Sequence, residues 1–369
     1  MYIHQHPDWP DFKWDVPGIA ALLGNIRNRQ GRLVGRMESL GFTLQNEAVL
    51  ETMTRDVVKT SEIEGELMDL QQVRSSLARK LGLDFPGLIP SDRHVDGVVE
   101  LMLDATQKFA EPLTEDRLFA WHSALFPSGR SGIQKIQVGS WRKDATGPMV
   151  VVSGPMGNEK VHFQAPAASR IPLEMKQFLD WFNGNQPLDP VLKSALAHFW
   201  FVTIHPFEDG NGRIARAIAD MQLARADGLP QRFYSMSAQI RLERNQYYRM
   251  LEISQKGDTD LSLWVKWFLS CFDSALKASE LSLAKVLQKA RFWEYLKDKQ
   301  IQPRQRLMIN TLLDGFKGKF TSSKWATIAG CSQDTALRDI QNLVDQQVLL
   351  KDGAGGRSSG YLLFPIEPR

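Results

Sequence analysis

Cysteine is nearly absent from this chain of 369 residues: Cys271 and Cys331 are the only two, far apart in sequence. Two such residues build no disulfide framework, and they fit a reducing, cytoplasmic setting. Long apolar runs are also missing. The most apolar stretch, ALAHFWFVTIHPF, is interrupted by His198, His205 and Pro206 and falls short of the roughly 20 apolar residues that span a bilayer. The opening MYIHQHPDWPDFKWD lacks the apolar core of a signal peptide. Charge of one sign is scarce as well. A formal net charge of +3 is too small to argue for a nucleic-acid or membrane surface by itself. Internal repeats and low-complexity segments are lacking. What is present is the composition of an ordinary soluble globular protein, 43% hydrophobic and 24% charged. The length predicts about two or three domains.

The patterning is mainly helical. Residues 18–59 carry helical periodicity, a further helix is expected through MDLQQVRSSLARKLG with Gly82 as its stop, and LDFPGLIPSD reads as a linker leading to an N-cap at Ser91 or Asp92. Thr114 is the expected N-cap of the next helix. The stretch PMVVVSGPMGNEKVHFQAP, with two short β-branched runs around a Gly/Pro/Asn turn, predicts a β-hairpin bounded by Pro148 and Pro166. Helices are expected over 170–183, 190–204 and onward to about residue 298. The last segment predicts three helices and a hairpin with a glycine-rich tip. That order resembles a winged helix-turn-helix. The reading divides the chain into a helical N-terminal domain (1–88), a catalytic domain (89–298) and a winged-helix-like domain (299–369).

The chemistry concentrates in IHPFEDGNGRIAR, residues 204–216. His205 sits at a helix-to-loop junction, and Pro206 resists continuation of the helix. Gly210, Asn211 and Gly212 accept unusual backbone angles, so that successive N–H groups can converge on an anion. A new helix starts at once and points its positive end at the same place. Arg213 and Arg216 lie three apart in its first turn, unfavourable for the helix dipole unless an anion lies opposite. Asp209 is a hard oxygen ligand suited to Mg²⁺. A base, a metal ligand, a phosphate cradle and two guanidinium groups fit phosphoryl or nucleotidyl transfer from a triphosphate.

The stretch resembles the signature of the Fic family, His-x-Phe-x-(Asp/Glu)-Gly-Asn-Gly-Arg-x-x-Arg, at every fixed position, and the resemblance extends over about residues 92–275. It implies a mainly α fold: a Fic helical core with a β-hairpin flap. It also implies protein adenylyltransferase activity, the transfer of AMP from ATP to a protein hydroxyl. In that frame His205 is the general base, with an unperturbed pKa of about 6.5 suited to neutral pH. Asp209 holds Mg²⁺, and Gly210, Asn211 and Gly212 surround the α- and β-phosphates. Arg213 clamps the departing pyrophosphate and Arg216 meets the γ-phosphate. Phe207 anchors the loop, and Glu208 has no assigned role. Tyr248, then Gln255, are candidates for the adenine pocket. The hairpin 148–166 resembles the family's flap, on which a target protein would dock by strand addition.

Upstream, TSEIEGE (60–66) contains the pattern of the family's inhibitory motif, (Ser/Thr)-x-x-x-Glu-(Gly/Asn), in Thr60, Glu64 and Gly65. The resemblance implies self-inhibition. Glu64 is expected to pair with Arg216 in a partly buried bidentate contact, displacing the γ-phosphate, while Thr60 and Gly65 set the helix end. Glu62 and Glu66 are expected to stay solvated. Removal of AMP from a modified protein, transfer of another group such as UMP or phosphate, and a DNA-binding regulator that senses nucleotide are the competing readings.

The opening YIHQHPDWPDFKWD resembles the start of an N-terminal domain of unknown role in some bacterial Fic proteins. Its His4, His6, Asp8 and Asp11 are conceivable metal ligands. Trp9 and Trp14 are expected to pack on the first helices. His94, His122, His162 and His198 show no ligand spacing and read as structural. In the predicted recognition helix only Arg338 is basic, against Asp334, Asp339 and Asp345, with Lys351 and Arg357 on the wing. That footprint favours protein docking or a homodimer over DNA.

Overall fold

The computed structural model describes residues 1–39, 42–83, 87–145, 147–154, 160–313, 316, 318–352 and 360–365. Its chain runs through α1 (Val16–Glu38), α2 (Phe42–Ile63), α3 (Leu70–Lys80), α4 (Arg93–Gln107) and α5 (Glu115–Leu125). The short strands β1 (Arg130–Ser131) and β2 (Gln134–Lys135) and the hairpin β3 (Val150–Ser153) and β4 (Lys160–Gln164) follow. Then come α6 (Ile171–Asn183), α7 (Pro190–Ile204), α8 (Asn211–Asp227), α9 (Met236–Leu242), α10 (Arg244–Ser254) and α11 (Ser262–Tyr295). The last elements are α12 (Pro303–Leu313), α13 (Ser322–Ala329), α14 (Gln333–Asp345), β5 (Leu349–Lys351) and β6 (Tyr361–Leu363). The mainly helical fold with small hairpin sheets is the expected one. The chain divides into two compact units, Met1–Ser279 and Glu280–Arg369. Among the described residues, no helix is long and apolar enough to cross a membrane.

Local signals explain most helix starts. Asp15, Asp92, Thr114 and Asp189 each accept a backbone N–H of the first turn of α1, α4, α5 and α7, which satisfies donors that no intrahelical carbonyl can reach. The periodicity of 18–59 resolves into two helices, with the break between Glu38 and Phe42.

At the centre of the first unit lies α7. It is apolar on all sides and every residue from Val191 to Ile204 is buried, the mark of a helix enclosed by other helices. It packs along α8, which also touches α1, α2, α4 and α5. The N-terminal segment is stitched on by backbone bonds, Ile3 N to Gln255 O (2.9 Å) and Lys13 N to Thr259 O (2.9 Å). Trp9 does not pack on the first helices as expected. Its ring meets Trp200 of α7 (6.3 Å) and its Nε1 donates to Glu174 of α6 (2.8 Å). His4 is buried and its Nε2 meets Gln164 O. Among the described residues no group of His, Cys, Asp and Glu is arranged to hold a metal, so the N-terminal ligands conceived from sequence do not assemble.

Two polar layers join α2 to α8. In one, Thr60 meets Arg216. One turn away, Asp56 accepts from Ser235 Oγ (2.5 Å) and Ser237 N (3.2 Å), and Asp220 accepts from Arg232 Nη2 (2.7 Å). Asp220 and Arg232 are essentially without solvent exposure. Buried charges of this kind persist only when paired.

In the second unit, Trp325, Met308, Ile340 and Leu343 centre a core on which the β5–β6 hairpin lies, with Leu349 opposite Leu363. The expected order of three helices and a hairpin is present; its tip, 353–359 with Arg357, lies outside the described residues. Asp339 is buried and paired with Arg304 (2.6 and 3.1 Å). It therefore does not count as a free negative charge against DNA, as the sequence reading had it.

The Arg232 layer yields the first prediction. Burial and Asp56 raise the Asp220 pKa to about 8, so in Arg232→Met that carboxyl takes up a proton instead of staying charged, and urea denaturation is expected to show a loss of about 1–3 kcal/mol.

Candidate active site on the loop between α7 and α8

The loop starts from a strained residue. His205 caps α7 with φ 53° and ψ 57°, a left-handed conformation that non-glycine residues adopt only when their surroundings impose it. Arg142 imposes it. Its Nε donates to His205 O (2.8 Å), its backbone N to Pro206 O (2.9 Å), and its Nη2 to Pro166 O (2.6 Å). Arg142 is a positioning residue that sequence reasoning missed; WRKD directly before the hairpin was the available signal.

The rest of the loop is held from inside. Phe207 is buried and stacks on His122 at 4.2 Å. His122 Nδ1 accepts from Gly139 N (3.1 Å), so its Nε2 carries the proton and donates to Asp209 O (3.2 Å). Asn211 accepts from Phe207 N (3.0 Å) and donates to Phe207 O (2.8 Å). Its side chain is thus spent closing the loop, and only its backbone N–H remains for the cradle expected of it. Glu208, given no role from sequence, accepts from Gln137 N (2.9 Å). Asp209 accepts from Gly210 N (2.6 Å) and from Ser131 Oγ.

At Gly210 the chain takes φ 79°, and a Cβ there would press on Phe126 at 2.9 Å. The first backbone bond of α8 is Ile214 N to Gly210 O (3.0 Å). The N–H groups of Asn211, Gly212 and Arg213 precede it and face outward from the positive helix end. A Cβ on Gly212 would overlap the Glu64 carboxylate. A side-chain anion therefore stands where the cradle opens.

His205 Nδ1 lies 3.2 Å from Val202 O and must donate to it, which leaves Nε2 with a lone pair. Burial pushes the imidazole pKa down to about 4, assisted by Arg142 and opposed by the Val202 bond, Asp209 and Glu64. The expected unperturbed value does not hold. The ring is neutral, and hence basic at Nε2, over the whole neutral range.

Arg213 and Arg216 are both buried. Arg216 Nη2 donates to Glu64 Oε1 (2.7 Å) and Thr60 O (3.0 Å), and its Nε donates to Thr60 Oγ1 (2.8 Å). The contact with Glu64 is not bidentate: the guanidinium divides itself between Glu64 and the Thr60 hydroxyl and carbonyl. Thr60 is therefore a direct partner as well as part of a helix end. Gly65 follows with φ 88°. Arg216 Nη1 and Arg213 Nε are buried and have no hydrogen-bond partner among the described residues.

The other two acids of the run are paired rather than merely solvated, though both keep some exposure. Glu62 pairs with Lys59 (2.7 Å) and Arg241 (3.3 Å). Glu66 accepts from Arg213 Nη1 (2.6 Å) and lies 3.2 Å from His94 Nε2. Lys59 is local to Glu62, but sequence alone hides the pairs with Arg241, Arg213 and His94, which lie far along the chain. Tyr248 hydroxyl reaches Ile63 O (3.2 Å) and Glu64 Oε2 (3.4 Å), while Arg244 also donates to Ile63 O (2.7 Å). These two residues grip the end of α2. Gln255 is buried against Thr203 and lies in the core.

Three histidines of this core share one electrostatic consequence. Burial lowers His122 to about 4, His198 to about 3 and His205 to about 4. Unfolded, each titrates near about 6.5. Between those values the unfolded chain binds more protons, so acid favours unfolding. His94 is shifted upward, chiefly by its hydrogen bond to Glu66, and works in the opposite direction. Unfolding free energy is expected to fall from about pH 7 to about pH 4.5, and His198→Gln to flatten that slope by up to about 1.4 kcal/mol per pH unit. Chemical denaturation at stepped pH measures both.

Residues 2–83 match a domain of unknown function, DUF4172, and residues 112–223 match the Fic/DOC family. A 219-residue stretch is 28% identical to a protein adenylyltransferase Fic of Drosophila mojavensis, covering 58% of this chain and 38% of that protein. The corresponding protein of Culex quinquefasciatus is 28% identical over 232 residues, 61% of this chain and 41% of that protein. The chain thus spans only about two-fifths of the length of these curated relatives. A crystal structure of a Fic family protein from Desulfovibrio desulfuricans G20 shares the fold, with a TM-score of 0.52 at 21% identity over 94% of this chain and 97% of that one. The segment 112–223, which holds the His205–Arg216 loop, is the part of the chain that matches the Fic/DOC family.

Proposed function

We propose that the protein is a self-inhibited adenylyltransferase, moving AMP from ATP to a Ser, Thr or Tyr hydroxyl of a target protein and of itself. The carrying observation is the anion site at the start of α8. Outward N–H groups, two buried arginines and a glycine cradle converge there, and the Glu64 carboxylate fills it. The distant relatives named above are protein adenylyltransferases.

The cradle residues fit a polyphosphate. Arg216 Nη1 and Arg213 Nε are buried donors without partners among the described residues, which a phosphate oxygen would satisfy. Asp209 would hold Mg²⁺. A single carboxylate is compatible with that ion, which is commonly bound through one or two protein carboxylates, water and substrate phosphates. The ion would supply neutralisation of phosphate charge.

In the reaction, the hydroxyl oxygen of the target forms a bond to the α-phosphorus of ATP, and the bond from that phosphorus to the bridging oxygen breaks. His205 Nε2 takes the hydroxyl proton, and pyrophosphate leaves with the bridging oxygen's electrons. His205 is fit for this because its tautomer is set by Val202 O and its ring stays unprotonated. Helix α8 and Arg216 fix the phosphates relative to that nitrogen. With Glu64 on Arg216, the γ-phosphate loses its partner and the α-phosphate is presented out of line.

The target's place is proposed at the β3–β4 hairpin. The two strands pair only with each other among the described residues, Val150 opposite Gln164 and Ser153 opposite Lys160, which leaves an edge for strand addition. The tip, 155–159, lies outside the described residues. The adenine contact proposed for Tyr248 requires the end of α2 to move, since the hydroxyl now holds Ile63 O.

Glu64→Gly is expected to raise AMP transfer about a hundredfold, seen as a mass gain equal to AMP after incubation with ATP and Mg²⁺. His205→Ala in that background is expected to abolish the gain. Between about pH 5.5 and 8 the rate should show no acid limb from the imidazole. Unchanged transfer on removing Glu64 sinks self-inhibition. Loss of an AMP-removing activity in the same variant would favour the hydrolase reading instead.

A further inference from the structure

We propose that His94, beside Arg213, is a further residue of the seat for the departing pyrophosphate, and that Glu66 fills that seat in this state. This rests on the nucleotide-transfer reading above and deepens it. His94 lies outside the motif loop, at the start of α4.

The two ring nitrogens of His94 face Glu66 Oε2 (3.2 Å) and Leu125 O (3.3 Å). Both neighbours are acceptors, and only an imidazolium donates from both nitrogens. Arg213 supplies the second cation. Its guanidinium is buried, lies 5.0 Å from the Phe126 ring centroid, and gives Nη1 to the same Glu66 oxygen at 2.6 Å. One carboxylate oxygen thus collects a guanidinium and an imidazolium, the donor set that binds phosphate oxygens.

Space for a larger anion adjoins this point. A cavity of about 510 Å³ is lined by Glu66, His94, Arg93, Arg130 and Ser131. Ser131 on its wall also bonds Asp209, so one hydrogen bond links the cavity wall to the proposed metal ligand. Arg93 and Arg130 outweigh Asp92 on its wall once Glu66 has left.

The backbone couples the two acids. Glu66 N bonds Ser61 O (3.1 Å) and Gly65 turns with φ 88°. That turn sets Glu64 on Arg216 and Glu66 on Arg213, so one displacement of the end of α2 would free both arginines. The inhibitory contact is therefore double, with each carboxylate standing in for part of a polyphosphate.

Calorimetric titration with inorganic pyrophosphate, ATP and AMP tests this without requiring transfer. Adding Glu66→Ala to Glu64→Gly is expected to tighten pyrophosphate and ATP about tenfold and leave AMP unchanged. A further His94→Gln should return about tenfold, while His94→Lys, which keeps a cation, should retain the gain. Thermal unfolding verifies that each variant is folded. No tightening on removing Glu66, or equal affinity in the folded Gln and Lys variants, overturns the subsite. Tightening of ATP without pyrophosphate would assign the effect to the nucleotide rather than to its terminal phosphates, and overturns it too. Pyrophosphate binding in the expected pattern with no AMP transfer by any variant would leave the subsite standing and remove the adenylyltransferase reading. AMP transfer with pyrophosphate binding indifferent to Glu66 and His94 would remove the subsite alone.

Discussion

Two buried arginines in the first turn of a helix are the constraint around which this site is built. Arg213 and Arg216 add their charge to the positive end of α8, where the helix dipole already disfavours cations. Burial removes the water that would otherwise screen them. Such an arrangement is stable only with anions at hand. In the structure those anions come from the chain itself: Glu64 on Arg216 and Glu66 on Arg213. The polyphosphate proposed for this site and the resident pair of carboxylates would be two answers to one electrostatic demand.

The same demand explains how α2 is docked. Its last turn brings Thr60 and the acids to α8, while a turn earlier Asp56 belongs to the buried layer with Asp220, Arg232 and Ser235. The earlier layer is sealed from water. The later one is partly open, with Glu64 and Glu66 retaining exposure. Rupture of the open layer leaves two buried guanidinium groups unpaired, so it is favourable only when another anion replaces the carboxylates, and the partial exposure of Glu64 and Glu66 is what gives such an anion access. The end of α2 can therefore yield to a competing polyanion while its body stays in place.

Much of this was legible in the sequence, and the reasons differ by residue. The motif loop was legible because its chemistry is local: His205, Asp209, the glycines and both arginines lie within twelve residues. The N-caps Asp92 and Thr114 and the β3–β4 hairpin were legible because each depends on neighbours a few positions away. Glu64 was legible only through resemblance to a known pattern. Glu66 and His94 were not. Nothing local distinguishes a solvated glutamate from one that meets an arginine 147 residues later. The bidentate geometry expected at Arg216 failed for a related reason: Thr60, one turn earlier on the same helix face, claims the Nε side of the guanidinium.

His205 shows most clearly why a residue type is not yet a chemical property. Its ordinary pKa would leave it partly protonated near neutrality. In place, the core around α7 desolvates the ring, Arg142 repels a second proton, and Val202 O claims the first nitrogen. These neighbours trade basicity for availability: a weaker base, but one whose lone pair is always free and always at Nε2. The trade suits a reaction in which the hydroxyl loses its proton only as its oxygen bonds to phosphorus, because the base then needs position more than strength. It also places control elsewhere. Under the proposed reaction, with the base unprotonated near neutrality, the step left to regulate is how the phosphates are seated, and the proposed seat is where Glu64 and Glu66 stand.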